Sequence, residues 1–385
     1  MNILIIVERF PVTTETFIVN KVLHLAKLGN TITVLCNSTD KGMYNRFFAG
    51  NTHVRILVAN KVQWCWYLFK RPFGVLKAIS LGRQMKQSLL NGFRYYLIQK
   101  QAPDIVHFEF SGIGIAYLDI LPDLNAKIVV SCRGTAEKVK LLSDTTRQQQ
   151  IRLLFNQAAA IHCVSADMQQ TIAPYCNEPG KIFVNFPSID TLQFKRRFSY
   201  KQRSPVTILS VGRFNFQKGY LTGLLAMQCL AKAGLAFQWV LVGDGPMKEE
   251  LLFHINQLSL NDYVQFAGSK TREQLLKQLH DTDIFFLPSV YEGIANAALE
   301  AMSMEVPVVS TKSGGMAEVI THGVNGMLAE VYDHLALAAH LELLINNFAM
   351  RQSIGAAGRT RVAEQFTIQM QTAVFQTKYQ QLLGI

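Results

Sequence analysis

The stretch DIFFLPSVYEGIANAALEAMSMEVPVVST, residues 283–311, contains three patterns in order. DIFFLPS (283–289) and PVVST (307–311) are short apolar runs of strand length. Between them lie a glycine-bearing turn and a helix-compatible run, AALEAM. Strand, turn, helix and strand make a βαβ unit, whose two strands are parallel and buried on both faces. The stretch also holds two glutamates eight residues apart, Glu292 in the turn and Glu300 in the helical run. With 17% of the chain charged, two carboxylates between apolar runs call for a reason.

The alternation extends outward. VTILSVGR (206–213), FQWVLVGDGP (237–246) and YVQFAG (263–268) are further strands of the same series. Upstream, NILIIV (2–7), TITVLCN (31–37), PDIVHFEF (103–110), AKIVVSCRG (126–134), AAIHCVS (159–165) and KIFVNFP (181–187) form an earlier series. Strands alternating with helices predict an α/β protein with doubly wound parallel sheets. At 385 residues the chain suits two such Rossmann-like domains, 1–190 and 206–365. The polar, basic, pattern-free segment 188–205 reads as a linker. Residues 366–385 have amphipathic helical character and are expected to pack back toward the first domain. Each sheet opens a crevice at the carboxyl ends of its strands, and the two crevices are expected to face each other across one cleft.

The charge is unevenly placed. Residues 1–200 hold 24 Lys and Arg against 12 Asp and Glu, while residues 201–385 hold 14 against 15. No acidic residue occurs between Asp40 and Asp104, a stretch with eleven basic residues. The segment 41–103 also carries WCWYLF (64–69), Phe73, Phe93, Tyr95 and Tyr96. Cations interleaved with aromatics suit an anionic membrane surface, or else a solvated basic face over an aromatic core. MNILIIVERF has no basic run and too short an apolar stretch to predict a signal peptide, and no uninterrupted apolar window is long enough to span a membrane. The six cysteines are scattered, which predicts reduced thiols in a cytoplasmic protein. No His, Asp, Glu or Cys set has metal-ligand spacing.

Two motifs carry candidate chemistry. VGRFNFQKG places Gly212, Arg213 and Lys218 in a loop at a strand's carboxyl end, and Gly243 lies in the tight turn of LVGDGP. Arg213 and Lys218 suit a diphosphate, which Arg binds bidentately and Lys meets as a compact charge. In SVYEGIAN a helix begins near Ala295 or Asn296. Its free N–H groups can bind phosphate or sugar oxygens, while Glu292 beside them can accept hydrogen bonds from hydroxyls. Neither GxGxxG nor GxxxxGK[ST] occurs.

Taken in order, VGRFNFQKG, LVGDGPMKEEL, YVQFAGS, SVYEGIANAALEAM, VPVVSTKSGGMAEVI and GVNGML resemble the donor domain of retaining glycosyltransferases of family 4 (group 1), which have the two-domain GT-B fold. EGIANAALE is similar to their Glu-x7-Glu motif. In the first domain, ERFPVTTETFIVNKVLHLAKLGNTITVL resembles the subgroup that builds exopolysaccharide, capsule and colanic-acid-type chains. The resemblance implies that Glu292 holds hydroxyls of a donor sugar and Glu300 the ribose of its nucleotide. Gly293, Ile294, Ala295 and Asn296 would lie over sugar and phosphate. Arg213 and Lys218 would stabilise the leaving diphosphate of a UDP- or GDP-linked donor. No metal or other cofactor is then expected.

The implied acceptor is a glycan or polyprenyl-diphosphate-linked oligosaccharide, met at the inner face of the cytoplasmic membrane. The chain departs from the family pattern in its first domain. FPVTTETF replaces a Gly-rich loop, and Arg133, in VSCRGTAE, stands where a His is frequent. Glu15, His107, Glu109 and Arg133 are the acceptor-side candidates. Glu15 could equally cap a helix, and His107 could be a satisfied core histidine. The acceptor's proton could pass to His107, Glu109 or the donor phosphate. Two other classes stay open, a sugar-nucleotide epimerase of the same fold and a non-catalytic protein driven by the basic segment. Nucleic acid is not an expected partner.

Overall fold

A computed structural model describes residues 1–12, 15–48, 50–59, 83–197 and 201–385. The chain divides into two units. One comprises Met1–Val164, Met168–Asn185 and Gln371–Ile385; the other comprises Ser165–Asp167 and Phe186–Met370.

The first unit holds seven strands: β1 (Asn2–Ile6), β2 (Thr31–Cys36), β3 (Val54–Val58), β4 (Ile105–Phe108), β5 (Lys127–Cys132), β6 (Ala160–Cys163) and β7 (Ile182–Val184). They pair in parallel in the order β3-β2-β1-β4-β5-β6-β7. The order in which the chain adds strands reverses between β1 and β4, which makes that junction the topological switch point. Alternate side chains leave on opposite faces. In β1, Ile3 and Ile5 enter one apolar cluster and Leu4 and Ile6 the other. The strand is therefore buried on both sides, as its unbroken apolar run requires. Phe375 and Tyr379, from the helix Ile368–Leu383, are wholly buried in the cluster around Ile3 and Ile5.

The second unit holds β8 (Val206–Val211), β9 (Phe237–Val242), β10 (Val264–Gly268), β11 (Ile284–Leu287), β12 (Val308–Thr311) and β13 (Met327–Ala329). These are also parallel, in the order β10-β9-β8-β11-β12-β13. Its switch point lies between β8 and β11. The opening βαβ unit is β11, the helix Asn296–Ser303 and β12.

Three features depart from the sequence reading. VRILV forms the edge strand β3 inside the basic stretch, where charge hid a short strand. Part of 188–205 is no open linker: Ile189 and Phe194 are buried in a core cluster of the second unit, and Arg359 donates to the carbonyls of Thr191 and Phe194. Phe93 is core and so not available to a membrane, while Tyr95 and Tyr96 are partly buried against the same cluster. WCWYLF, Phe73, Lys61, Lys70, Arg71 and Lys77 lie outside the described residues. No helix among the described residues is long and apolar enough to cross a membrane.

Candidate active site

In the second unit the loops that follow β8 and β11 meet at the switch point. Gly219 has φ +61°, and a Cβ there would lie 2.0 Å from the Pro288 carbonyl oxygen. Only glycine permits both the left-handed backbone and that approach. The Val290 N–H donates to the Gln217 carbonyl (2.8 Å), which fixes the two loops side by side. Gly243, at φ +142°, lies equally close to the Gly212 carbonyl. The Lys218 side chain runs past Gly212, where a Cβ would press on its methylenes at 3.0 Å.

These constraints bring Lys218 Nζ to 2.6 Å from Glu292 Oε1. The carboxylate also accepts from Ser289 Oγ (2.7 Å) and Gln217 Nε2 (3.3 Å). Glu292 is 6% exposed and Lys218 16%. Arg213, at the end of β8, is exposed, and no ion pair holds it among the described residues. Ile294 and Ala295 are buried, and Ala295 is the N-cap of the helix Asn296–Ser303. Asn296 Oδ1 is buried without a hydrogen-bond partner, an acceptor that a ligand hydroxyl would satisfy. Glu300 is half-buried one turn further on; burial raises its carboxyl to about 7, against the lowering charge of Arg272. Among the described residues no group of three or more His, Cys, Asp or Glu is placed to hold a metal ion.

In the first unit the acceptor-side candidates belong to one buried network. His107 on β4, Ser131 on β5 and His162 on β6 are buried polar residues in adjacent strands, bonded to one another. His162 Nε2–H donates to the Asn185 carbonyl (2.8 Å), so Nδ1 must accept from Ser131 Oγ (2.8 Å). Ser131 then accepts from His107 Nε2–H (2.8 Å). That leaves His107 Nδ1 to accept from the Tyr379 hydroxyl, with Lys21 Nζ 3.2 Å away. Burial holds both imidazoles well below their ordinary pKa, hence neutral, with Lys21 adding to the effect at His107 and Arg133 at His162.

Glu109 lies between two cations. One oxygen accepts from Lys21, and the other from Arg133 Nη2 at 2.6 Å. Arg133 Nε also donates to the Glu109 carbonyl (3.1 Å). Burial alone would raise the Glu109 carboxyl, but Lys21 and Arg133 outweigh it and hold it well below the carboxylate range. Burial lowers Lys21 to about 8, with Glu109 opposing. Glu15 is the N-cap residue of the helix Thr16–Lys27, yet its side chain makes no capping bond. Burial raises its carboxyl, Arg133 lowers it, and Glu109 and Glu8 raise it further.

The sequence reading does not single out Lys21, Ser131, His162, Tyr379, Ser289, Gln217 or Arg272. A polar residue at the same phase of three consecutive strands was a usable signal for the buried row. Nothing in the sequence ties Tyr379 to His107, 272 positions away.

This arrangement has known counterparts. The Glycosyltransferase Family 4 model matches residues 14–192, and the Glycosyl transferases group 1 model matches residues 193–361. The chain is a glycosyltransferase, with a Family 4-type first domain, a group 1 second domain and the GT-B fold. Over 392 residues it is 28% identical to the amylovoran biosynthesis glycosyltransferase AmsK of Erwinia amylovora, covering 95% of this chain and 96% of that one. It is 27% identical over 405 residues to the putative colanic acid biosynthesis glycosyltransferase WcaL of Salmonella typhimurium, covering 96% and 97%. A crystal structure of HepE from Anabaena in complex with UDP superposes with a TM-score of 0.74 at 15% identity, over 99% of this chain and 100% of that one.

Proposed function

We propose that the chain transfers a hexose-type sugar, with retention and without a metal ion, from a UDP- or GDP-linked donor. The acceptor is a hydroxyl on a glycan or polyprenyl-diphosphate-linked oligosaccharide of bacterial exopolysaccharide synthesis. The observation that carries this reading is the Lys218–Glu292 pair at the switch point of the second sheet, in the loop that also carries exposed Arg213. Switch-point crevices are where open α/β sheets bind nucleotides. Arg213 and Lys218 take the diphosphate and stabilise the charge that develops on it as the glycosidic bond breaks. Glu292 accepts from sugar hydroxyls, Asn296 lies beside it, and Glu300 accepts from the ribose. The acceptor's proton passes to the leaving phosphate. His107 and Glu109 are both wholly buried, His107 Nδ1 already accepts a hydrogen bond, and each Glu109 oxygen is paired with a cation. The relatives' names support the exopolysaccharide setting, and the UDP in HepE supports the donor class. The basic stretch 41–100 docks the chain on anionic lipid at the inner leaflet.

A thermal-shift panel of sugar nucleotides tests the reading. A donor at 100 times its Kd adds about 2.7 kcal/mol of stability, a shift of several degrees. Stabilisation by no nucleotide sugar would overturn the donor assignment. Loss of transfer in EDTA, restored by a divalent ion, would overturn metal independence.

A further inference from the structure

Arg133 is built to a higher standard than a surface cation. Its side chain is 9% exposed. Nε and Nη2 are spent on the carbonyl and carboxylate of Glu109, and the guanidinium lies 4.7 Å from the Phe17 ring centroid. The neighbouring Gly134 N–H is anchored by Glu137 Oε2 (3.3 Å). Yet among the described residues Nη1 has no hydrogen-bond partner. The clamp thus fixes one edge of the fork and leaves the other open, beyond the carboxyl end of β5.

The local charge is unbalanced in the same sense. Glu109 serves both Lys21 and Arg133, so the two cations share one fully buried carboxylate. The next carboxylate, Glu15, sits where burial disfavours its charge. Arg133 Nη1 is not a buried unpartnered atom, so its open edge reaches solvent and can take an anion. A phosphate suits it well, because Arg presents parallel N–H groups to its oxygens.

We propose that Arg133 binds a phosphate or diphosphate ester of the acceptor, and that Lys21, His107 and Tyr379 are positioning residues acting on it through Glu109. This rests on the reading that the first unit takes the acceptor. The chain of support is physical. Tyr379 and Ser131 fix His107 in one tautomer. Glu109 and the Phe375 ring (centroid 4.2 Å from Nζ) hold the Lys21 ammonium, which lies 3.2 Å from the His107 Nδ1 that Tyr379 also meets. Lys21 in turn holds one oxygen of Glu109, so that the other is aimed at Arg133.

The test is calorimetric titration of the full chain with inorganic pyrophosphate in the presence of saturating UDP, or GDP if that is the nucleotide bound. The bound nucleotide blocks the second unit's diphosphate site. The wild type should take up a further pyrophosphate. Arg133→Gln should weaken that binding about 10- to 100-fold, as expected for lost charge-assisted hydrogen bonds. Tyr379→Phe, which removes one hydroxyl, should weaken it about 3- to 10-fold, with nucleotide affinity unchanged in both. Arg133→Lys should not restore it, because an ammonium cannot span the Glu109 carbonyl and carboxylate and still present a free edge. Imidazole 15N shifts should report His107 as the Nε2–H tautomer, disturbed in Tyr379→Phe.

No pyrophosphate uptake by the nucleotide-bound wild type would overturn the proposal, as would wild-type affinity in folded Arg133→Gln. Competition between pyrophosphate and nucleotide, with both weakened in Arg133→Gln, would assign Arg133 to the nucleotide's own phosphates and also overturn it. A merely structural Tyr379 would lower Tm and leave pyrophosphate affinity intact, which would sink the positioning role. Failure of any nucleotide to bind would count against the donor reading instead. Pyrophosphate uptake that depends on Arg133 would then still support this one.

Discussion

Glu292→Gln separates the two duties that the second unit gives to one carboxylate. In the free protein Glu292 accepts from Lys218, Ser289 and Gln217. A glutamine keeps one acceptor oxygen but turns an NH2 toward groups that are themselves donors, and it removes the counter-charge of Lys218. The pair lies between the exposed limit, worth about 0–1 kcal/mol, and the buried limit, where breaking a pair costs about 3–5 kcal/mol. With the lysine 16% exposed, a loss of about 2 kcal/mol is expected, which lowers Tm by about 4–8 °C for a domain of this size. The ligand effects run in opposite directions. A nucleoside diphosphate no longer competes with Glu292 for Lys218, so its affinity should hold or rise. The sugar loses its charged acceptor, so turnover should fall about 100-fold or more. Titration with the nucleoside diphosphate and with the matching nucleotide sugar, alongside donor turnover, measures both. Loss of nucleoside diphosphate binding in a folded Glu292→Gln protein would refute this division of labour. Glu292 would then serve to orient Lys218 and not to hold the sugar.

Arg213→Ala and Lys218→Ala should each lower kcat about 100-fold; Tm should be unchanged for exposed Arg213 and lower for Lys218, and near-normal turnover in either would remove it from the diphosphate site. Because the Glu300 carboxyl is raised to about 7, nucleoside affinity should climb as pH rises from 6 to 8, and Glu300→Gln should flatten that profile. The same raised pKa makes folding stability fall with pH between about 4.5 and 7, since the unfolded carboxyl gives up its proton first; a stability curve indifferent to Glu300→Gln over that range would contradict it. Glu109→Gln should lower Tm more than Glu292→Gln does, by about 6–20 °C. It should recover partly toward pH 9 as Lys21 loses its proton, and a shift under 2 °C would show that the network is not held by charge. Full-length protein should co-sediment with anionic but not neutral liposomes, less so in high salt; charge reversal at Lys70, Arg71 and Lys77 should weaken this without changing donor affinity, and equal pelleting with both liposomes would end the membrane proposal.

The parallel architecture was legible because buried strands cannot hide. NILIIV, FQWVLV and DIFFLP are apolar on both faces, and only a doubly covered sheet absorbs such runs. VRILV escaped because exposed Arg55 interrupts its apolar run and its surroundings are basic. Phe194 escaped for a related reason. A single large apolar residue within a charged stretch has no periodicity to report, yet it anchors 188–197 on the second unit. At the candidate site, Arg213, Lys218 and Glu292 were readable from motif and turn chemistry, since both loops follow strands. Ser289 and Gln217 were not, because their role depends on the approach of Gly219 to Pro288, which is a tertiary fact. Of the interface and core readings open to the aromatics, the core one holds for Phe93, while Tyr95 and Tyr96 are only partly buried.

Each unit presents a cation masked by a carboxylate at the carboxyl ends of its strands, but the two masks differ physically. Glu292 is held by one ammonium and two neutral donors and retains some exposure. In the proposed reaction a diphosphate would draw Lys218 away and leave the carboxylate for sugar hydroxyls, so that the donor would replace the pair. Glu109 has no exposure and is held by two cations at once. No ligand reaches it, and parting it from either cation would strand a buried charge. Its link to Arg133 therefore persists through binding, and only the open edge of the guanidinium is available to a ligand. A cation whose partner leaves contributes its full charge to the bound state at the cost of breaking a pair. A cation whose partner stays contributes less charge but a fixed direction. The first suits a leaving group on which charge grows during reaction. The second suits a substrate that must be held in one orientation before reaction begins.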